Sequence, residues 1–156
     1  MRNTYSKLNY HLVFSTKNRI PLIDKSFQDE LYGYIGGILR GSRGVLLAAG
    51  GMPDHVHLLA GWGTSISVAT MLRLIKTNSS KWMNERPGMP IGSFGWQEGY
   101  GAFTVSESQI EVVRKYILHQ EEPEHHRKLS FREELLMFLK RHGIPYDPDN
   151  FDPEKS

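Results

Sequence analysis

The order of strand-like and helical segments is the feature that most constrains the fold of this chain. Four segments rich in β-branched, aromatic and other apolar residues, bounded by turn residues, predict strands at 8–16, 45–49, 55–61 and 102–105. Apolar residues at helical spacing predict helices from 24 or 26 to about 40, from 65 or 67 to about 84, from 106 or 108 to about 121–123, and from 130 to about 141. This order predicts an α+β fold of the ferredoxin-like or RRM-like type, an antiparallel sheet with helices on one face, followed by C-terminal helices.

Length and composition predict a single domain. A chain of 156 residues is long enough to bury one core, and we expect one domain over 1–143, including the last predicted helix, with an irregular tail over 144–156. The sequence has no cysteine, so a bound metal would need nitrogen and oxygen ligands. No apolar run is long enough to span a membrane, and the first residues lack the apolar core of a secretory signal, so we expect a cytoplasmic protein.

The charge balance permits a nucleic-acid partner but does not by itself predict one. Lys and Arg number 19 against 17 Asp and Glu, and the formal net charge of +2 is far from that of proteins that bind duplex DNA by charge alone. Binding would therefore need a local basic patch. The candidates for contacts with a phosphate backbone are Lys17, Arg19, Arg73 and Lys76, although these residues are equally typical of a solvated surface.

Two histidines, His55 and His57, flank one apolar residue in the predicted strand over 55–61. Because strand side chains alternate between faces, both imidazoles would point to one face while Val56 points into the core. Two neighbouring imidazoles can ligate one divalent cation. A histidine pair of this spacing is incidental in most strands, so a metal site depends on what else the chain brings to the pair.

The third predicted helix supplies two candidate partners for the histidine pair. Tyr116 and Gln120 are one helical turn apart and therefore face the same direction. A tyrosine hydroxyl is a suitable nucleophile for phosphoryl transfer where a metal ion polarises and orients the phosphate. The amide oxygen of Gln120 is a hard ligand suited to Mg²⁺ or Mn²⁺. Two imidazoles and one amide oxygen would leave coordination positions open for phosphate oxygens and water.

Several motifs together resemble those of one enzyme family. His55-Val-His57 resembles the histidine–hydrophobic–histidine (HUH) motif, and Tyr116-Ile-Leu-His-Gln120 resembles the tyrosine and third metal ligand of the single-tyrosine HUH transposases. These transposases are encoded by IS200-like insertion sequences and by REP-associated elements. The resemblance covers most of the chain and includes the runs YHLVFSTK at 10–17, MPDHVHLL at 52–59 and WQEGY at 96–100. The run at 52–59 is specific in a way that a bare pair of histidines is not.

The resemblance implies a DNA transposase, that is, a metal-dependent single-stranded DNA endonuclease and strand transferase. Tyr116 would attack a backbone phosphate of hairpin-forming single-stranded DNA, leave a free 3′-hydroxyl and stay bonded to the 5′-phosphate until a 3′-hydroxyl rejoins the strands. His55, His57 and Gln120 would hold Mg²⁺ or Mn²⁺. Since the phosphotyrosine bond conserves the energy of the cleaved phosphodiester, ATP would not be required. Family members are dimers or monomers, and we expect a homodimer.

The chain continues beyond the minimal domain of this family. Gln120 is followed by a charged run over 121–127 and by the helix predicted over 130–141. In dimeric family members the tyrosine helix can serve the metal site of the partner chain. An added C-terminal helix could instead hold the tyrosine helix against its own chain, so the sequence leaves both arrangements open.

Three other functions compete with the transposase hypothesis. A nucleotide hydrolase of the histidine-triad type would need a third alternating histidine, but Leu59 stands at that position. A non-catalytic RRM-like nucleic-acid-binding module would use exposed aromatic residues on its central strands, and the aromatic–glycine pattern of such modules is absent from the sequence. A domesticated family member that binds DNA hairpins without mobilising them would share all the motifs, and only its activity would distinguish it.

Overall fold

The computed structural model describes residues 3–90, 92–120 and 129–148, and in these residues it shows a four-stranded antiparallel sheet with four helices. The strands are β1 (Asn9–Ser15), β2 (Val45–Met52), β3 (His55–Gly61) and β4 (Gly101–Thr104). The helices are α1 (Gln28–Gly41), α2 (Val68–Asn84), α3 (Ile110–Leu118) and α4 (Phe131–Arg141), and short 3₁₀ turns cover Lys17–Arg19 and Glu107–Gln109. The strand order β2-β3-β1-β4 confirms the predicted α+β fold with a ferredoxin-like sheet.

One face of the sheet packs against α1 and α2 and forms the main apolar core. The two central strands supply Leu12 and Phe14 from β1 and Val56 and Leu58 from β3, all of them fully buried. These residues alternate along each strand, as expected where every second side chain points to the same face. The helices are amphipathic and contribute the other half of the core, which includes Leu31, Ile35, Leu39, Met71, Leu72 and Ile75.

The opposite face of the sheet is covered by the two C-terminal helices. Ile117 of α3 packs on Leu59 of β3, while α4 packs through Phe138 against Val13 and Phe103. This face also buries the polar side chains of β1 and β3 that the alternation directs away from the main core. The sheet is therefore enclosed on both sides, by an apolar layer on one and by a partly polar layer on the other.

A glycine allows α3 to lie directly on the sheet. Gly50 is paired with His57 across the β2–β3 ladder, and a methyl group on Gly50 would overlap with the carbonyl oxygen of Ile117. Only a residue without a side chain permits this close approach. The backbone of α3 is consequently held close to the sheet at Ile117, beside His57. Ile117 directly follows Tyr116 in the chain.

Several predicted boundaries differ from those observed. Strand β2 extends to Met52 instead of ending at residue 49, because Gly50, Gly51 and Met52 continue to pair with β3. The starts of α2 and α4, by contrast, agree with the prediction. These helices begin after Ser67 and Ser130, whose hydroxyls accept a backbone hydrogen bond from the residue three positions later.

The ends of two predictions lie partly outside the described residues. The third helix was expected to end near 121–123, which the structure does not describe, and α3 itself ends at Leu118. Of the predicted tail over 144–156, residues 144–148 contain neither helix nor strand, and the remainder also lies outside the described residues. Within the part of the chain that is described, no helix has the length and apolar character needed to cross a membrane.

Candidate active site

The two histidines of the sequence motif lie side by side at the start of β3. His55 and His57 are buried on the face covered by α3 and α4, while Val56 between them is part of the main core. Their rings are 5.3 Å apart between centroids and meet edge to face. The predicted shared face is therefore confirmed.

A carboxylate from α4 completes a cluster with these imidazoles. Oε1 of Glu134 lies 2.7 Å from Nε2 of His57 and 3.4 Å from Nε2 of His55, and Glu134 is fully buried. One ligand atom from each of the three residues lies within 4.8 Å of the other two, so the group can hold a metal ion. Two imidazole nitrogens and one carboxylate oxygen form a set of donors that divalent first-row cations accept, with further coordination positions left open.

Tyr116 meets the same carboxylate from the other side. Its hydroxyl donates a hydrogen bond to Oε2 of Glu134, and its ring lies 5.8 Å from that of His57. Helix α3 brings Tyr116 to this position and α4 brings Glu134, so the tyrosine and the histidine pair converge within a single chain. The two oxygens of one carboxylate thus face the histidine pair and the tyrosine, respectively.

Burial and hydrogen bonding set the protonation states in this cluster. Burial opposes ionisation of Glu134, but hydrogen bonds from His55 and His57 outweigh it and hold the pKa of Glu134 well below its usual range. Burial raises the pKa of Tyr116 far above its usual value, and the negative charge of Glu134 raises it further. At neutral pH the site therefore contains an ionised carboxylate that accepts a hydrogen bond from a protonated phenol.

The far nitrogen of each imidazole is also engaged. Nδ1 of His55 lies 2.7 Å from Oδ1 of Asp54, and Nδ1 of His57 lies 2.8 Å from Nε2 of His11 on the neighbouring strand. Burial disfavours the charged form of His55, but hydrogen bonds to Asp54 and Glu134 dominate and raise its pKa. Burial, followed by repulsion from His57, lowers the pKa of His11 to about 3, so the His11 ring is neutral.

Gln120, the predicted third ligand, lies beside the tyrosine. Its side chain is buried, its Nε2 is 3.4 Å from the backbone carbonyl of Tyr116, and its proximity partly offsets the rise in the pKa of Tyr116. The side chain that faces both histidines is instead Glu134, which lies outside the sequence motifs. The role of Gln120 as a metal ligand stays a prediction.

The sequence did contain a signal for Glu134. In α4 the apolar face is marked by Phe131 and Phe138, seven residues apart, and Glu134 lies between them at the same helical face. An acidic residue on an otherwise apolar stripe is costly to bury and is retained where it has a partner. That interruption is readable from the sequence, but the partner is 77 residues away along the chain.

Of the four basic candidates, Arg19 lies nearest to the cluster. Its Nε is 3.6 Å from Oδ2 of Asp54, and its guanidinium lies 5.7 Å from the centre of the Phe131 ring. An open cleft of about 350 Å³, lined by Arg19 and by the start of α4, reaches His55. Lys17 is exposed in the same 3₁₀ turn.

The other two basic candidates lie on α2, which covers the opposite face of the sheet. Lys76 donates hydrogen bonds to the carbonyl oxygens of Gln97, Glu98 and Gly99, at 2.7, 3.0 and 2.8 Å, and burial lowers its pKa to about 8. Lys76 therefore ties the loop before β4 to α2. Arg73 is exposed. Contacts between DNA and the four basic residues stay predictions.

Comparison with known proteins identifies the class of protein as a transposase. Residues 4–120 match the model of the IS200-like transposases, and the chain belongs to that family. The ISDra2 transposase TnpA of Deinococcus radiodurans is 27% identical over 122 residues, which cover 76% of this chain and 87% of the relative. The family match ends at residue 120, so α4 and its Glu134 lie beyond it.

Two solved structures share the fold. A crystal structure of a candidate transposase from Deinococcus radiodurans superposes with a TM-score of 0.59 at 28% identity, over 77% of this chain and 95% of that one. A REP-associated tyrosine transposase bound to a REP hairpin superposes with a TM-score of 0.56 at 14% identity, over 93% of this chain and 74% of that one. At 14% identity, the similarity to the second structure shows only that the two proteins share a fold.

Proposed function

We propose that this transposase cleaves and rejoins hairpin-forming single-stranded DNA through a 5′-phosphotyrosine intermediate. The observation that carries the proposal is the convergence of a tyrosine hydroxyl and two imidazoles on one buried carboxylate. A nucleophile and a set of metal donors joined by a single carboxylate is an arrangement suited to phosphoryl transfer. The family to which the chain belongs supports the same conclusion.

The metal would be held by His55, His57 and Glu134. The three donor atoms are close enough to share one ion, and all three side chains are buried where water competes poorly. A carboxylate suits Mg²⁺ and Mn²⁺ alike, whereas two imidazoles favour Mn²⁺. When bound, the cation would polarise the scissile phosphate.

Tyr116 would act as the nucleophile and Glu134 as its proton acceptor. The carboxylate holds the phenol by a hydrogen bond and is the nearest base to it. As the Tyr116 oxygen forms its bond to phosphorus, the phenol proton passes to Glu134 and the bond from phosphorus to the 3′-oxygen breaks. The departing oxygen takes a proton from water and becomes a free 3′-hydroxyl. The reverse sequence, with an incoming 3′-hydroxyl, rejoins the strands.

The cleft beside Arg19 is the proposed approach for the DNA strand. It reaches His55 from the surface, and one wall carries the cationic side chain of Arg19, with Lys17 exposed in the same turn. Cationic side chains of this kind position a phosphate backbone without specifying its sequence. The relative that was solved with a REP hairpin has the same fold, and we propose a folded single strand as the ligand here.

The site needs no second chain for the residues named. Tyr116, the histidine pair and Glu134 meet within one protomer. We therefore propose that Tyr116 acts on the metal site of its own chain. The expected homodimer would then be a way of holding two DNA ends together.

The proposal is tested with single-stranded DNA from the ends that flank the gene for this protein. The 5′- and 3′-labelled strands are incubated with Mg²⁺ or Mn²⁺, and a denaturing gel is read for a covalent protein–DNA adduct. We expect a metal-dependent adduct on the 5′-phosphate side that disappears in Tyr116→Phe. Tyr5→Phe is the matched control because Tyr5 is exposed and far from the cluster along the chain.

Two results would contradict the proposal. An adduct that survives in Tyr116→Phe would show that another residue is the nucleophile. A band shift on a native gel without any adduct would favour a hairpin-binding protein that has lost catalysis.

A further inference from the structure

Among the described residues, His11 is a buried histidine at the site to which the proposed reaction assigns no role. It lies on β1, next to β3, and its side chain points to the same face of the sheet as His55 and His57. Its Nε2 is 2.8 Å from Nδ1 of His57. A buried polar side chain needs a hydrogen-bond partner, and the partner of His11 is a proposed metal ligand.

We propose that His11 is a positioning residue that fixes the ring orientation and the tautomer of His57. To bind a cation through Nε2, His57 must carry its proton on Nδ1, since a ligating nitrogen needs its lone pair. In the structure, Nε2 of His57 donates to Glu134. A cation bound at Nε2 would displace that proton, and Nε2 of His11, 2.8 Å from Nδ1 of His57, is placed to accept the proton that remains on Nδ1. His11 would then carry its own proton on Nδ1.

Packing holds the His11 ring in place for this role. Phe138 meets it edge to face at 4.9 Å, and Phe103 and Tyr116 lie at 6.2 Å, also edge to face. A ring confined by three others has little freedom to turn away from His57. The orientation of the ligand is thus set by a side chain that is itself fixed.

The two proposed imidazole ligands have different hydrogen-bond partners at Nδ1. His55 is held by the carboxylate of Asp54, whereas His57 is held by a second imidazole. A carboxylate makes the imidazole that it contacts a stronger donor, and it also adds negative charge. An imidazole supplies the same orientation without adding a charge next to Glu134. We therefore expect His11 to act on metal affinity through geometry.

The test measures Mn²⁺ affinity by calorimetry in the full chain without DNA, for wild type and two variants. His11→Phe fills the same space among aromatic neighbours but removes the acceptor, and we expect affinity to fall about 10- to 100-fold. His11→Gln can place its amide oxygen near the position of Nε2, and we expect it to stay within a few-fold of wild type. His119→Gln, at an exposed histidine, should leave affinity unchanged.

A spectroscopic measurement on the wild-type protein keeps the inference testable even where His11→Phe does not fold. With ¹⁵N-labelled histidine and Mg²⁺, the NMR shifts of His57 should show a protonated Nδ1 and an unprotonated, ligating Nε2. The opposite tautomer would overturn the inference, as would wild-type Mn²⁺ affinity in a folded His11→Phe variant.

The inference rests on the proposed metal site, and the same experiment separates the two. Absence of Mn²⁺ binding by wild-type protein would overturn both. Binding by wild type that is lost in His57→Ala but unchanged in His11→Phe would retain the metal site and overturn only the role of His11.

Discussion

The two faces of the central sheet are built from the same strands but bury different chemistry. On β3, Val56 and Leu58 enter the apolar core beneath α1 and α2, whereas His55 and His57 enter the polar cluster beneath α3 and α4. The apolar face stabilises the fold by burial without needing a specific partner for each group. The polar face requires a partner for every buried nitrogen and oxygen, because an unpaired group there costs free energy. Stability and reactivity are therefore separated by single-residue alternation.

The largest effect that tests this separation comes from adjacent residues of β3. His57→Ala should abolish metal binding and DNA cleavage, since it removes a proposed ligand. Leu58→Ala should lower the free energy of unfolding by about 2–5 kcal/mol through loss of buried contacts and cavity formation. It should leave Mn²⁺ affinity unchanged in the folded protein. Calorimetry and chemical denaturation of both variants measure the two quantities, and loss of Mn²⁺ affinity in folded Leu58→Ala would show that the faces are coupled.

The next effect distinguishes two neighbouring glutamates of α4. Glu134→Gln keeps the shape of the side chain but removes its charge, and we expect Mn²⁺ affinity to fall by about 100-fold or more, beyond the usual effect of an outer-sphere partner. Glu133→Gln is the matched control, because Glu133 is exposed and its backbone N–H donates to the capping hydroxyl of Ser130. Equal cleavage rates and Mn²⁺ affinities for the two variants would remove Glu134 from the proposed site.

A smaller effect is expected at Gly50, where α3 packs directly on the sheet. Gly50→Ala would place a methyl group against the carbonyl of Ile117 and push α3 outward. We expect a loss of about 1–3 kcal/mol in stability and, from the displaced Tyr116, roughly a 10- to 100-fold slower cleavage. Gly33→Ala in α1 is the control, since no atom of the described residues outside the local helix backbone and the adjoining residues lies within 4 Å of the added methyl group. Unchanged cleavage in Gly50→Ala would show that α3 tolerates the shift.

The smallest effect concerns pH. Because the pKa of His55 is raised by Asp54 and Glu134 above the ordinary value of 6.5, the protonated form stabilises the metal-free fold. That contribution is present in full below pH 6.5 and is lost as pH rises through the raised pKa. Asp54→Asn should flatten this part of the stability profile, whereas Asp29→Asn, at an exposed site, should not. A decline above pH 6.5 that is unchanged in Asp54→Asn would assign it to other groups.

The sequence predicted the strands that local signals define better than the segments whose structure depends on pairing with another strand. The bounds of β3 were predicted correctly, because alternation and turn residues are local signals. The end of β2 was not, since Gly50 and Gly51 are typical of a turn and become strand only through pairing with β3.

The same distinction holds for the site. His55, His57 and Tyr116 were marked by short motifs, and the structure brings them together. Glu134 and His11 gained their roles through contacts between elements far apart along the chain. The acidic residue on the apolar face of α4 marks Glu134 in the sequence, but neither contact leaves a local pattern, so the partners of both residues had to come from the fold.

The alternation along β3 also protects the chain from pairing incorrectly. A shift by one residue would drive two imidazoles into the apolar layer and turn Val56 and Leu58 towards Glu134. Each misplaced imidazole would lose its partners, and the buried carboxylate would lose both of its imidazole partners. The alternation of histidines and apolar residues along β3 therefore favours a single strand register.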